Sequence, residues 1–559
     1  MNGDTAVAGY SSEIEAEVAT LVSGSPSENM SGGYEGASRI DREMATWFPP
    51  IQSADGDILP DKMLVDSRVR DAIRNDGYVR AGATIRKDRI VGAMYLLNSK
   101  PHWKVLGLDE TWAEEFQVEV ESKFTLYAES PECWIHAGRK MTLTDIIRLA
   151  VGMDAAAGEF LATAEWLRGA ARPYSTAIQV IDLDRLCNPH GEMDSQTLRG
   201  GVRRDRWGAP VGYWIRSAHP ADWSGASNNT WKYVPARRPW GRPQVIHNFE
   251  SMRPDQSRGI SDIVTALKEI RTTRRFRDIT LQSAVLNATY AASIESELPT
   301  EAVYNMMGGG EAGGTFGGAI TQYAQQYLGA IAEYVGSSRN IRLDGVKIPH
   351  LFPGTKLNMQ PVSRDNNVGS EFEKSLLRYI ASSLNVDYHE LTQDYTSGNY
   401  SNLKASIAAT ERSMATKKRR SADRTANLIY RLWLEEAINK GEIQSMPRNA
   451  PSLYEGLNME AYTAAEWIGA TSGQIDELKE TQAAVLRLKY NLTTLEDETA
   501  RLGKDWRRVL SQAEREKKER EARGLMPAES NMINAASGAP REKESSDEPA
   551  DGSQEKTDV

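Results

Sequence analysis

Apolar positions along this chain recur with two different periods, and the changes of period divide it into blocks. Spacing of three and four residues, the mark of a helix with one buried face, holds over 65–75, which stops near Asp76-Gly77. It returns over 112–127. It returns again over 144–168, where Ile146, Ile147, Ala150, Met153, Ala157 and Leu161 form one stripe. Between the first two, 84–93 leads into the apolar run 94–97, which Asn98 and Pro101 end. From 176 to 250 the runs shorten, as in 177–181 and 210–215. Gly, Asn and Asp punctuate them, and Trp207-Gly208-Ala209-Pro210 reads as a turn. This block predicts a β-rich subdomain.

Helical spacing then resumes over 259–292. Ile260, Ile263, Val264, Leu267 and Ile270 make a stripe that Leu281, Val285 and Leu286 renew, and Arg271, Arg274, Arg275 and Arg277 cluster midway. Solvated face and surface for phosphate or carboxylate are both open readings of those arginines. Residues 293–362 are irregular and include a glycine-rich stretch at 308–318. A helix over 371–384, a break over 385–402 and a helix over 403–440 follow, the last holding Lys417-Lys418-Arg419-Arg420 and ending at Gly441. A small helical unit occupies 456–524. Its helices are expected over 474–490, after the capping pattern Thr493-x-x-Glu496 up to Gly503, and over 504–522. The joint between the β-rich block and the long helix stands out: Val245-Ile246-His247-Asn248-Phe249, then Met252-Arg253-Pro254-Asp255-Gln256-Ser257-Arg258-Gly259.

At 559 residues the chain is long enough for two to four domains. Both ends are polar. Residues 1–40 hold one short expected helix at 11–21, and 528–559 are acidic and nearly free of large apolar side chains, which predicts disorder. A formal net charge of −10 argues against indiscriminate nucleic-acid binding, which needs a basic footprint. It does not exclude a protein that lets DNA slide past without gripping it, because a negative wall repels phosphate. Two distant cysteines, Cys133 and Cys187, give no disulfide framework and point to a reducing compartment. Cys187-x-x-His190 has no second pair, so zinc is not expected. No run of ~18 apolar residues predicts a membrane span.

Candidate chemistry is sparse. The glycine-rich stretch lacks the Gly-Lys-Ser/Thr of a phosphate loop, no His-Glu-x-x-His or Gly-x-Ser-x-Gly occurs, and no cofactor is expected. Glu159, after Gly158, reads as a helix–strand junction. Thirteen tryptophans, among them Trp47, Trp103, Trp112, Trp166, Trp214, Trp231, Trp240 and Trp467, are spread over every block, which favours core and interface packing over base stacking.

Several strings in fixed order resemble the lambda-type portal proteins of tailed bacteriophages. They are Gly33-Tyr34-Glu35-Gly36-Ala37, Trp47-Phe48-Pro49-Pro50, Ser67-Arg68-Val69-Arg70-Asp71, Arg74-Asn75-Asp76-Gly77, Val91-Gly92, Gly158-Glu159-Phe160 and Gly201-Val202 through Tyr213. His247 with Arg253-Pro254-x-Gln256-x-Arg258-Gly259 is the most diagnostic. Leu351-Phe352-Pro353-Gly354-Thr355, Gly398-Asn399-Tyr400-Ser401 and Gly503-x-Asp505-Trp506 follow. Asn402 and Leu403 depart from the family's pattern.

The resemblance implies a non-enzymatic α+β subunit with the portal fold. Copies would form a dodecameric ring at one capsid vertex, assembled in host cytoplasm, through which double-stranded DNA passes without sequence readout. Expected partners are other copies, the terminase large subunit, head–tail adaptor or connector proteins, the major capsid protein and scaffold. The competing reading, a packaging nuclease or ATPase, is disfavoured by the missing phosphate loop and metal motifs. By resemblance, 1–40 is a flexible tail and 41–255 the wing, β-rich over 176–250. Residues 256–290 and 366–385 are stem helices with the clip, 291–360, between them. The tunnel loop is 386–402, with Asp394, Tyr395, Thr396, Ser397, Gly398, Asn399 and Tyr400 as candidates to face DNA. A long wing helix at 403–450, a helical crown at 456–524 and the acidic tail 528–559 complete the chain. Arg271, Arg274, Arg275 and Arg277 become candidates to pair with acidic residues of the next subunit.

Overall fold

The computed structural model describes residues 34–37, 41–169, 172–222, 230–289, 325, 341–343, 346–348, 366–396, 400–471 and 476–525. The expected helix at 11–21, the acidic tail, most of 291–360 and Ser397, Gly398 and Asn399 lie outside the described residues.

In chain order come helices α1 (Ala54–Asn75) and α2 (Gly77–Ile90), strand β1 (Leu96–Ser99), helices α3 (Glu110–Ala128) and α4 (Leu143–Ala157). Strands β2 (Glu159–Trp166), β3 (Thr176–Val180), β4 (Leu198–Arg199), β5 (Val202–Arg204), β6 (Pro210–Arg216), β7 (Trp231–Pro235) and β8 (Val245–Phe249) follow. Helix α5 (Leu267–Thr289) and the antiparallel pair β9 (Ile341–Leu343) and β10 (Val346–Ile348) precede α6 (Asn366–Leu384), α7 (Tyr388–Thr392) and α8 (Tyr400–Lys417). A π turn (Lys418–Asp423) joins α8 to α9 (Arg424–Asn439). Strand β11 (Ala465–Ile468) and helices α10 (Glu477–Lys489), α11 (Leu495–Arg501) and α12 (Trp506–Ala522) end the described chain.

The chain divides into two units. The first takes its described residues from 1–66, 159–165 and 179–260. Here β2 and β8 pair antiparallel, from Glu159↔Phe249 to Thr163↔Val245. Strands β4, β5, β6 and β7 form an antiparallel meander. Gly212 on β6 must be glycine, because a Cβ there would stand 2.3 Å from the Tyr233 hydroxyl.

The second unit takes 67–158, 166–178 and 261–525. Its core is aromatic. Trp467 of β11 stacks on Tyr95 at 5.5 Å, Phe124 of α3 meets Trp433 of α9 at 5.1 Å, and Tyr174 meets both Tyr127 and Trp433. Strand β1 pairs with β11, Leu96 opposite Ile468. Helix α2 lies against α6 so closely that a Cβ on Gly82 would reach 2.6 Å from Leu384 Cδ1. Trp112, Trp433 and Trp467 are buried, as core packing requires, whereas Trp47, Trp166 and Trp240 are exposed.

Local chemistry moves several expected boundaries. The helix expected over 144–168 stops at Ala157, where Gly158 adopts φ 74° and donates its N–H to Asp154 O. The chain then becomes β2, so Leu161 is a strand residue buried among Phe160, Ala162 and Thr163. The capping box near 493 is shifted by one: Thr494 caps α11 and exchanges hydrogen bonds with Asp497. The long helix expected from 259 opens with a 3-10 turn, Asp262–Ala266, capped by the Ser261 hydroxyl. Within 386–402, Asp387 caps Tyr388–Thr392 into a short helix, with His389 N–H at 2.8 Å from its carboxylate.

Candidate functional site

The joint between β8 and α5 is built around one carboxylate. Glu159 opens β2 directly after the α4-terminating glycine and is fully buried. Arg258 Nε and Nη2 reach its Oε1 at 2.9 and 2.7 Å. The remaining Arg258 donors go to backbone: Nη1 to Leu186 O and Gly200 O, both at 2.8 Å, and Nη2 to Leu183 O at 3.3 Å. All five guanidinium hydrogens thus have acceptors. Helix α1 contributes Lys62, whose ammonium lies 3.2 Å from Glu159, 3.0 Å from Asp66 one turn on, and 2.8 Å from Gly259 O. From β8, His247 Nε2 donates to Glu159 Oε2 at 3.0 Å, and Gly259 N–H donates to the same oxygen at 2.9 Å.

Burial alone would raise the Glu159 pKa, but Arg258, Lys62 and the His247 hydrogen bond hold it well below the usual 4.5. Burial depresses the His247 pKa below its usual 6.5 despite the carboxylate beside it. With His247 neutral, the node balances Lys62 and Arg258 against Glu159 and Asp66.

The preceding motif residues fix the backbone. Gln256 Oε1 accepts from Met252 N–H at 2.8 Å while its amide donates to Arg258 O at 2.7 Å. Asp255, at φ 61°, follows Pro254. Arg253 bonds Asp57 and, at 3.0 Å, Gln52 O. Asp55 of α1 takes the N–H and hydroxyl of Ser257 at 2.7 and 2.8 Å. His247, Arg253, Gln256, Arg258 and Gly259 therefore share one polar assembly. The arrangement is a buried, charge-balanced hydrogen-bond network that ties β2, β8, α1 and the 253–259 segment together. Sequence reading placed Glu159 at a junction without seeing its charge partners. Lys62 and Asp66, four residues apart on α1, were the overlooked signal.

The second unit holds its own charge network at the root of α5. Arg86 of α2 is 1% exposed and lies 3.4 Å from both Asp154 and Asp262. Lys417 reaches Asp262 at 2.6 Å and Arg420 reaches Asp154 at 3.3 Å. Lys418 turns to Asp423 and Trp467 O, each at 2.8 Å. Three of the four residues in the basic run Lys417–Arg420, which crosses from α8 into the π turn, are thus spent inside the fold, and Arg419 is exposed.

The α5 arginines separate. Arg277 pairs with Glu373 of α6 at 2.5 Å and lies over the Tyr78 ring at 4.6 Å. Phe276 and Phe372 meet beside it at 5.5 Å. Arg271, Arg274 and Arg275 are exposed on one helical face with Asp278, and among the described residues they form no ion pair. In the candidate loop, Asp394 accepts from Thr396 N–H and hydroxyl at 3.1 and 2.6 Å, Tyr395 is exposed, and Tyr400 begins α8. Cys187 and His190 both lie against Trp231, the sulfur accepting its indole N–H at 3.3 Å. None of the described helices is long and apolar enough to cross a membrane.

Comparison with known proteins defines the class. Residues 40–418 match the family described as phage portal protein, lambda family. The chain is 34% identical over 501 residues to the portal protein of Escherichia phage N15, covering 89% of this chain and 92% of that one. It is 33% identical over 500 residues to portal protein B of Escherichia phage lambda, covering 89% and 91%. A chain from the neck of an empty GTA particle aligns over 78% of this chain and 93% of its own, at 12% identity and a TM-score of 0.36, a loose likeness beside the sequence matches. The chain belongs to the lambda family of phage portal proteins.

Proposed function

We propose that copies of this chain close into a dodecameric ring at one capsid vertex, the passage for double-stranded DNA during packaging and ejection. The terminase large subunit docks on it first and head–tail adaptor or connector proteins later, with the major capsid protein and scaffold around it. Family membership carries this reading. The pairing of α5 with α6 supports it: the two helices flanking 290–365 in the sequence pack together, Phe276 against Phe372 and Arg277 on Glu373, as two helices lining a channel would. The passage touches phosphate backbone only, without base readout. Asp394 to Tyr400 remain the candidate DNA-facing segment.

Electron microscopy and native mass of the purified protein test this. A closed ring with an axial hole wide enough for a duplex is the expected result, and a small oligomer without a channel overturns it. The exposed Arg271, Arg274 and Arg275 pair with carboxylates of the next subunit, since strong phosphate contacts would hold DNA against the motor. Arg274→Ala with Arg275→Ala is expected to reduce ring yield several-fold on gel filtration while leaving the monomer's unfolding unchanged. Normal rings that fail to package DNA would reverse that assignment.

A further inference from the structure

Helices α10, α11 and α12 join the rest of the second unit with little apolar burial. Neither α10 nor α12 has a buried residue, and α11 buries only Thr499. Polar ties hold them at their root, and two of these meet at Gln117 of α3. Arg507, in the first turn of α12, donates to Gln117 Oε1 at 2.8 Å. Gln117 Nε2 donates to Asn98 Oδ1 at 2.9 Å, and Asn98 Nδ2 donates to Glu496 of α11 at 2.5 Å. The same Gln117 Nε2 lies 3.0 Å from Glu121 Oε1, one turn along α3, where Ser99 N–H also donates at 2.9 Å. Glu121 therefore stands one hydrogen bond behind both ties.

Glu121 is 8% exposed and makes no ion pair among the described residues. Both of its hydrogen bonds fall on one oxygen, and neither donor is charged. The charged groups facing it come from α12 and its cap, and both are committed elsewhere. Arg507 reaches Gln117, and Asp505 accepts the N–H groups of Arg507 and Arg508 at 2.7 and 3.2 Å. From α9 comes the Tyr430 hydroxyl, 3.3 Å from Ser99 Oγ. Beyond Asn98, Lys100 lies 2.6 Å from Glu466 and 3.3 Å from Glu496. An ionised Glu121 is thus a buried carboxylate without a counter-ion, which is a costly state. Two events relieve it: protonation, or entry of water as α11 and α12 lift away. The carboxyl accordingly stands at about 7 against the usual 4.5, with burial the largest cause; Asp505 adds to the rise, and the hydrogen bonds and Arg507 oppose it.

We propose that Glu121 is a protonation-controlled latch for the C-terminal helices: neutral, it sits behind Gln117 with α11 and α12 docked, and its ionisation favours their release from α3 and β1. The device lies within one subunit and is independent of the ring reading. Its sign follows from linkage. With the helices docked the carboxyl keeps its proton up to about 7, and with them lifted off it meets water and ionises near 4.5. Docking is therefore strongest below 4.5, weakens by up to about tenfold per pH unit above it, and levels off once pH passes about 7.

Hydrogen exchange of the full-length chain between about pH 5.5 and 8.5 tests this, each rate divided by that of an unfolded peptide of the same sequence at the same pH. The expected result is a fall of about twentyfold in the protection of 495–510 from pH 5.5 to 7.5. Glu121→Gln keeps an accepting oxygen and cannot ionise, so its protection over 495–510 should stay level across the range. Level protection in the wild-type chain overturns the inference without recourse to any variant. A fall confined to 424–439 of α9, with 495–510 level, would mean that Glu121 meets water only when the whole unit unfolds, which also overturns it. An equal fall in Glu121→Gln would place the titrating group elsewhere and remove the latch.

Discussion

Replacing Glu159 by alanine is expected to cost the first unit about 3–5 kcal/mol, the range for removing one partner of a buried ion pair. The cause is what stays behind. Arg258 and Lys62 remain buried with no carboxylate between them, and Gly259 N–H and His247 Nε2 lose their acceptor. Urea unfolding followed by tryptophan fluorescence measures it. The acid side gives a second signature. Because the folded-state pKa of Glu159 is depressed below 4.5, the stability it contributes is present above 4.5 and is lost as pH falls through the folded value. His247, depressed below 6.5, acts in the same direction from about neutral pH downward. Asp66, raised above 3.8 by burial, acts in the opposite sense. The gap between wild type and Glu159→Ala should therefore narrow below pH 4.5. A variant with an unchanged urea midpoint at pH 7 would show that the node does not hold the unit together.

Glu121 predicts the reverse. It sits on α3 among Ser99 N–H at 2.9 Å and Gln117 Nε2 at 3.0 Å, and burial pushes its carboxyl up to about 7 against those hydrogen bonds, with Asp505 adding to the rise. A raised folded-state value means stability fully present below 4.5, declining above it and lost once pH passes about 7. Glu121→Gln keeps the accepting oxygen and removes the titration. A tenfold change in proton affinity corresponds to roughly 1.4 kcal/mol, so the substitution should stabilise the second unit by up to about 3 kcal/mol at pH 8 and by almost nothing at pH 4.5. Thermal melts at the two pH values decide it; equal gains at both would remove titration as the cause.

How much of this the sequence discloses depends on whether the cause is local. The α3, α6 and α9 stripes follow their own periodicity, and the caps at Asp76, Asp387 and Asp505 follow residue chemistry. The α4–β2 boundary was hidden because Leu161 falls at helical spacing from Ala157, so that only Gly158 marks the change. The π turn at 418–423 has no periodic signature. It accompanies the inward course of Lys417 and Arg420, whose partners Asp262 and Asp154 lie 155 and 266 residues away, and of Lys418, which reaches Trp467 O on β11 as well as Asp423 in the same turn. The motif from His247 to Gly259 was legible as a string. Its purpose was not, because the carboxylate that gathers it lies 99 residues before Arg258.

The enclosure of the Glu159 node separates two kinds of electrostatics in this subunit. Mobile salt ions screen charges they can approach, over about 8–10 Å at physiological ionic strength. Arg271, Arg274 and Arg275 are open to them, whereas Glu159 and Arg258 are not. If copies pair through these arginines as proposed, adding sodium chloride should loosen that contact while the Glu159 node stays indifferent, and a salt titration should separate copies whose first unit remains folded.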